Sequence, residues 1–232
     1  MNYLLIDTSN QPLSVAIMKD NEVIAEKTTD IKKNHSVQLM PEIAEILTES
    51  KINKTEITDI VVAKGPGSYT GLRIGVTVAK TLAYALNTNL YGVSSLKALA
   101  STVKDSTKLL VPIFDARREA VYAGVYQYQD NELITIIDDT YIPIFELIEK
   151  LHQLNQPYVF VGYHTEKIKH LLDSDIVEQL PQASSMKQLI QKPENIHSFT
   201  PKYHKLSEAE RNWLNQQENN WILGKWVLKM FL

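Results

Sequence analysis

Apolar residues open the chain in three short runs, Tyr3 to Thr8, Leu13 to Lys19 and Glu22 to Thr29, broken by SNQP and KDN. Runs of this length between turn-forming residues predict an antiparallel meander of three strands. Met40, Ile43, Ile46 and Leu47 then recur at helical spacing against Glu42, Glu45 and Glu49, which predicts an amphipathic helix. A strand at Asp59 to Ala63, a helix from about Thr70 to Leu86, a short strand at Asn89 to Val93 and a helix opened by Ser94 or Ser95 follow. The same order begins again at Lys108, with LLVPIFD, EAVYAGVYQYQ and LITIIDDTYI as three strands, a helix at Ile144 to Leu154, a strand at Tyr158 to Gly162 and further short helices. This doubled pattern predicts two similar α/β halves with a seam near residues 101 to 107, STVKDST.

The helix near residue 70 carries the densest signal. Half of the chain's eight glycines lie between Gly65 and Gly75, in AKGPGSYTGLRIGVTVAKTLA. A Walker-type phosphate loop needs four residues between its glycines and then Lys-Ser/Thr; here five separate Gly65 from Gly71, and Leu72-Arg73 follows. The dinucleotide fingerprint would need glycine at Thr70, and the acidic residue it requires about 20 positions on is missing, since no Asp or Glu occurs between Asp59 and Asp105. Packing explains more. Gly71, Gly75, Ala79 and Ala83 recur every four residues and form a ridge almost without side chain, suited to close backbone approach. Leu72, Ile74, Val76, Val78, Leu82 and Leu86 cover most of the remaining surface, so the helix must be buried nearly all round. Two covers satisfy this: a helix of a second chain, or full burial inside one protomer.

Composition narrows the classes. At 232 residues with 44% apolar and 22% charged positions, the chain can build a substantial core without staples. A net charge of -3 gives no general attraction to nucleic acid or membrane. Locally, Lys64, Arg73, Lys80, Lys97 and Lys104 face no acid in sequence, which is either an anion patch or a solvated face. The absence of cysteine removes disulfides, thiolate catalysis and sulfur-ligated zinc, and points to the cytoplasm. MNYLLIDTSN lacks the length and basic start of a leader and reads as part of the fold. The terminal WILGKWVLKMFL is shorter than the roughly 20 residues a membrane span needs and is assigned no role.

Two aspartates end equivalent strands. Asp7, beside Thr8 and Ser9, and Asp115 in the second half have the placement of a two-lobed phosphate-binding cleft, yet neither is followed by glycines whose amides would reach a phosphate. Each also reads as an ordinary turn residue. His35 has Leu39 four residues on, where a helical metal pair would need a second histidine, so no metal site is expected. No G-x-S-x-G elbow exists.

Taken together, LLIDTSNQPLSVAI (4 to 17), HSVQLMPEI (35 to 43), KGPGSYTGLRIGVTVAKTLA (64 to 83), GVSSLKALA (92 to 100), DARREAVYAGVY (115 to 126) and PKYHKLSEAE (201 to 210) resemble the bacterial TsaB proteins, also called YeaZ, which take part in making threonylcarbamoyladenosine in tRNA. The resemblance implies an α/β fold of two actin/Hsp70-like (RNase H-like, ASKHA) lobes, each a mixed sheet with an antiparallel meander plus helices. We divide these as residues 1 to 104, 105 to 215 and a tail at 216 to 232. It further implies a non-catalytic subunit, with no catalytic residue and no metal of its own, similar to the catalytic subunit TsaD but without its histidine pair and phosphate loops. ATP and metal would belong to the partners. These would be TsaD, the ATPase TsaE and a second copy of the chain, with tRNA met through the complex and no membrane contact.

The interface implied comprises His35, Leu39, Met40, Ile43, Gly71, Leu72, Gly75, Val78, Ala79 and Leu82, and Asp7, Thr8, Ser9 and Asp115 would form a degenerate nucleotide cleft. The sequence departs from the family at Glu119, where glycine is common, and at Gly162-Tyr163-His164, where Gly-Asp-Gly is usual. An actin-like ATPase or a metal-dependent glycoprotease-like enzyme is the alternative, and Asp7 and Asp115 would have to carry it.

Overall fold

Tyr3 to Ile6 are apolar without alternation, the pattern of a strand covered on both faces. In the computed structural model, which describes residues 1–30, 34–105 and 107–205, β1 (Asn2–Asp7) accordingly lies at the centre of a five-stranded sheet. It pairs antiparallel with β2 (Leu13–Lys19), and β2 pairs antiparallel with β3 (Glu22–Thr29) at one edge. On its other side β1 pairs parallel with β4 (Asp59–Gly65), and β4 with β5 (Asn89–Ser94). Helices α1 (His35–Ser50) and α2 (Tyr69–Leu86) cover one face of this sheet, over Leu4, Ile6, Val15, Ile17, Ile60 and Val62. Helix α3 (Ser95–Ala100) and a 3₁₀ stretch at Ala183–Leu189 cover the other, over Tyr3, Leu5, Ala16, Met18, Val61 and Ala63. Each helix starts on a polar cap: the side chains of Asn34, Ser68 and Ser94 accept from the backbone N–H groups of Ser36, Gly71 and Lys97.

The second sheet repeats the first. Its central strand β6 (Leu109–Asp115) pairs antiparallel with β7 (Ala120–Gln129), and β7 with β8 (Glu132–Pro143). On the other side β6 pairs parallel with β9 (Tyr158–Gly162), and β9 with β10 (Ile176–Glu178). Helix α4 (Ile144–Gln153) buries Leu147 and Leu151 against this sheet. Two α/β lobes with one strand order therefore stand side by side, as the doubled pattern predicts. The turn between β6 and β7 places Arg117, Arg118 and Glu119 at φ of 64°, 55° and 55°, a left-handed conformation that explains why glycine suits position 119.

Three features differ from expectation. Strand β10 has three residues and no pattern long enough to read. The buried face of α1 is carried by Leu39 (1% exposed), Ile43 and Ile46, whereas Met40 is 47% exposed, so Met40 is not part of the core stripe. And the chain does not stay with the second lobe after β10. Ala183 N donates to Ser14 Oγ (2.9 Å), Glu194 N to Leu90 O (2.8 Å) and Lys202 N to Lys64 O (2.7 Å), while Phe199 joins the core beneath α1 and α2. Residues 183–202 thus return to the first lobe, while Leu189 packs on both lobes and Lys205 Nζ donates to Ala116 O of the second (3.2 Å), so a single cut at 104/105 does not separate the lobes. The expected tail at 216 to 232 and the end of the PKYHKLSEAE segment lie outside the described residues.

Candidate functional site

Strand β1 ends in Asp7, Thr8 and Ser9, and all three are buried. Ser9 N donates to Asp7 Oδ1 (2.8 Å), Ser68 N donates to Ser9 O (2.6 Å), and Thr8 Oγ1 donates to Gly71 O (2.8 Å). The start of α2 is therefore stitched to this strand end. A Cβ at Gly71 would overlap Thr8 O, and one at Gly75 would overlap Thr8 Oγ1. The small-residue ridge thus faces the protomer's own first strand. That overturns its reading as a flank sealed by a second polypeptide: Gly71, Leu72, Gly75 and Ala79 are interior residues of one chain.

Burial dominates the chemistry at Asp7. Loss of solvent raises its pKa above the ordinary 3.8, against the hydrogen bonds from Ser9 and the nearby charge of His35. Tyr163 is half-buried, with its hydroxyl enclosed, and lies close enough to be affected by Asp7; desolvation first, then that charge, pushes its pKa well up. Asp115, at the equivalent strand end of the second lobe, is exposed and accepts from Arg117 N (2.7 Å), an ordinary turn contact. The two carboxylates therefore have opposite environments, one buried and bonded by Ser9, the other in solvent. Among the described residues no three His, Asp or Glu side chains converge as a metal-ligand set.

The outer face of the α1–α2 pair has a different character. On α1, Val37 (65% exposed), Met40, Ala44 and the half-buried Leu47 recur at i, i+3, i+7 and i+10 and so form one apolar stripe. The acidic side of the helix lies elsewhere, where Glu42 and Glu45 both bind Lys27 of β3 (2.7 Å each). On α2, Ile74, Val78 and Leu82 are half-buried against the shared core, and Tyr84 is 69% exposed. Of the ten interface residues read from sequence, Met40 is exposed and His35, Val78 and Leu82 are half-exposed; Leu39, Ile43, Gly71, Leu72, Gly75 and Ala79 are internal. Val37, exposed on the same side of α1 as Met40, was not among the ten. Val37 had a signal, an apolar residue on the side of α1 turned away from Leu39, Ile43 and Ile46.

His35 ties this surface to the strand-end cluster. Its Nε2–H donates to Gln11 O (3.0 Å), while Gln11 Nε2 reaches Asp30 Oδ1 (3.2 Å) and His164 of the second lobe (3.1 Å). The lysines that read as either an anion patch or a solvated face are dispersed. Lys64 pairs with Glu194 (2.7 Å), Lys80 donates to the carbonyls of His197 and Phe199, and Lys97 and Lys104 lie toward Tyr126 and Tyr128 of the second lobe. Among the described residues no helix is long and apolar enough to cross a membrane.

Known proteins share these features. The family profile described as "TsaD: tRNA N6-adenosine threonylcarbamoyltransferase" matches residues 22–221. The chain is 38% identical over 229 residues to the tRNA threonylcarbamoyladenosine biosynthesis protein TsaB of Bacillus subtilis, covering 94% of this chain and 100% of that one. It is 32% identical over 165 residues to the Escherichia coli protein of the same name, covering 70% of this chain and 71% of that one. Among solved structures, a Pseudomonas aeruginosa protein described as having similarity to peptidase YEAZ superposes with a TM-score of 0.77, over 88% of this chain and 99% of that one, at 22% identity. That likeness extends the two-lobed fold to a further protein.

Proposed function

This chain belongs to the TsaB (YeaZ) family, and from that premise we propose that it serves threonylcarbamoyladenosine biosynthesis in tRNA as a subunit without catalytic residues of its own, pairing with TsaD through the outer face of α1 and α2. The role in threonylcarbamoyladenosine synthesis follows from the shared name of relatives that align along most of this chain. The observation that carries the pairing is the stripe of Val37, Met40, Ala44 and Leu47, which exposes large apolar side chains on a two-helix surface. Contiguous exposed apolar surface marks an association site. A two-helix face of this kind accepts two helices of a partner by ridge-into-groove packing. A second copy of the chain competes for the same face, giving a homodimer when TsaD is absent.

The strand-end cluster supports the non-catalytic part of the reading. Asp7 is enclosed and Asp115 stands in solvent, so the two do not present a shared open cleft to a nucleotide. Leu39, where a helical metal pair would need histidine, is spent on the core. In this proposal ATP and metal are handled by TsaD and TsaE, tRNA is met through the complex, and the assembly works in the cytoplasm.

Titrating the purified chain with purified TsaD in a calorimeter tests the proposal. A saturable one-to-one heterodimer is the expected result; no heat and no co-migration at micromolar concentrations, or ATP hydrolysis with magnesium by this chain alone, would reject it.

A further inference from the structure

On the face of the first sheet opposite α1 and α2, the β2–β3 turn, the end of α3 and the 3₁₀ stretch Ala183–Leu189 line an open pocket of about 410 Å³. Such a volume is within the range of small-ligand sites. Lys104 and Lys187 both line it, together with the amides of Gln182 and Gln188 and the apolar side chains of Met18 and Val23. Among the described residues of this wall there is no carboxylate.

The nearest acids are already engaged. Glu26 accepts from Ser184 N (2.9 Å) and Ser184 Oγ (2.8 Å). Asp20, near enough to be affected by the charge of Lys187, binds the N-terminal ammonium at 2.7 Å. Asp130 lines an adjoining pocket that shares Lys104 and Gln188, but does not line this one. Lys104 Nζ donates to Tyr128 Oη (2.8 Å) and Gln188 Oε1 (2.9 Å), both neutral, which leaves its third N–H available. Lys187 Nζ sits 4.4 Å from the centroid of the Tyr3 ring, a contact that fixes its position without neutralising it.

Two ammonium groups, held in place by neutral partners beside side-chain amides in a wall without a carboxylate, with Asp20 already bound to the N-terminal ammonium, are the donor set of an oxyanion site. We propose that this pocket binds a small phosphate-bearing molecule, with Lys104 and Lys187 on the phosphate and Met18 and Val23 against the organic part. The place adds a consequence. The stretches 101–104 and 182–188 are the outgoing and returning passages of the chain between the lobes, and both contribute to the wall. A bound ligand therefore ties the two passages together and stabilises the relation between the lobes. None of this depends on pairing with TsaD.

The test uses the full chain in a phosphate-free buffer at constant ionic strength, with inorganic phosphate and AMP as probes in calorimetry and thermal unfolding. Saturable binding of at least one probe with a rise in Tm is expected. The Lys104→Gln/Lys187→Gln double variant should weaken that binding at least tenfold and keep the circular-dichroism spectrum, whereas Lys97→Gln, outside this wall, should leave it unchanged. AMP binding much more tightly than phosphate would identify an organophosphate ligand; equal affinities would identify the phosphate group alone as what is recognised. As a second readout on the unaltered protein, phosphate should protect Lys104 and Lys187, but not Lys51, from chemical acetylation. No saturable response to either probe, undiminished affinity in the double variant, or no selective protection overturns the proposal.

Discussion

Thr8 occupies the space that the four-residue rhythm of small side chains leaves open: its carbonyl and hydroxyl lie over Gly71 and Gly75. A side chain at Gly75 has to displace the buried Thr8 side chain and with it the bond to Gly71 O, and overpacking of this kind costs about 1–3 kcal/mol or more. Gly75→Leu should therefore lower the unfolding free energy by at least about 2 kcal/mol, read as a fall in Tm; an unchanged Tm would show that Thr8 yields freely. Asp7 gives a pH-dependent counterpart. Because folding raises its pKa above 3.8, the native chain holds the extra proton over the window just above that value. This contribution to stability falls as pH rises through that window. Asp7→Asn, which keeps an oxygen for Ser9 N, should be at least as stable as the parent at pH 8 and lose that advantage near pH 4; a parallel pH profile for the two proteins would count against a strained carboxylate. The sequence places Asp7 at a strand end, but its burial is an outcome of tertiary packing, which no local pattern announces.

Helix α1 shows where periodicity informs and where it stops. Leu39, Met40, Ile43, Ile46 and Leu47 all fit a helical spacing, yet they divide into a buried stripe through Leu39, Ile43 and Ile46 and an adjacent exposed one through Val37, Met40, Ala44 and Leu47. A pattern of apolar positions defines a face, not the element that covers it. The same limit applied to α2, whose bare ridge reads equally well against a second chain and against the protomer's own sheet. Long elements with clear caps, such as α2 behind Ser68, are legible to within a residue or so. Since Val37 and Met40 point outward, Val37→Asp/Met40→Asp should leave the far-ultraviolet spectrum and Tm near those of the parent. It should weaken association with TsaD by roughly 10- to 100-fold, the cost of two truncated interface anchors. Equal affinity for the two proteins in calorimetry would remove this face from the interface.

Across the whole molecule, the doubled order of strands and helices was legible because both sheets are built on the same succession, a meander followed by parallel crossover strands. The return of residues 183–202 to the first lobe was not, since a 3₁₀ stretch and an extended run have no period that separates them from a loop. That return closes the chain around its own lobe junction. The α1–α2 face stands on one side of the first sheet, and the lysine-lined pocket stands on the other. In our proposals the first surface takes a protein partner and the second a small ligand. Reconstitution of tRNA modification from purified TsaD, TsaE, ATP, a threonylcarbamoyl donor and unmodified tRNA tests the central claim most directly. Threonylcarbamoyladenosine should form with the parent chain and with Asp7→Asn, and fall to the level without the chain when Val37→Asp/Met40→Asp replaces it; full modification without this chain, or undiminished modification with the double variant at limiting concentration, would contradict the account.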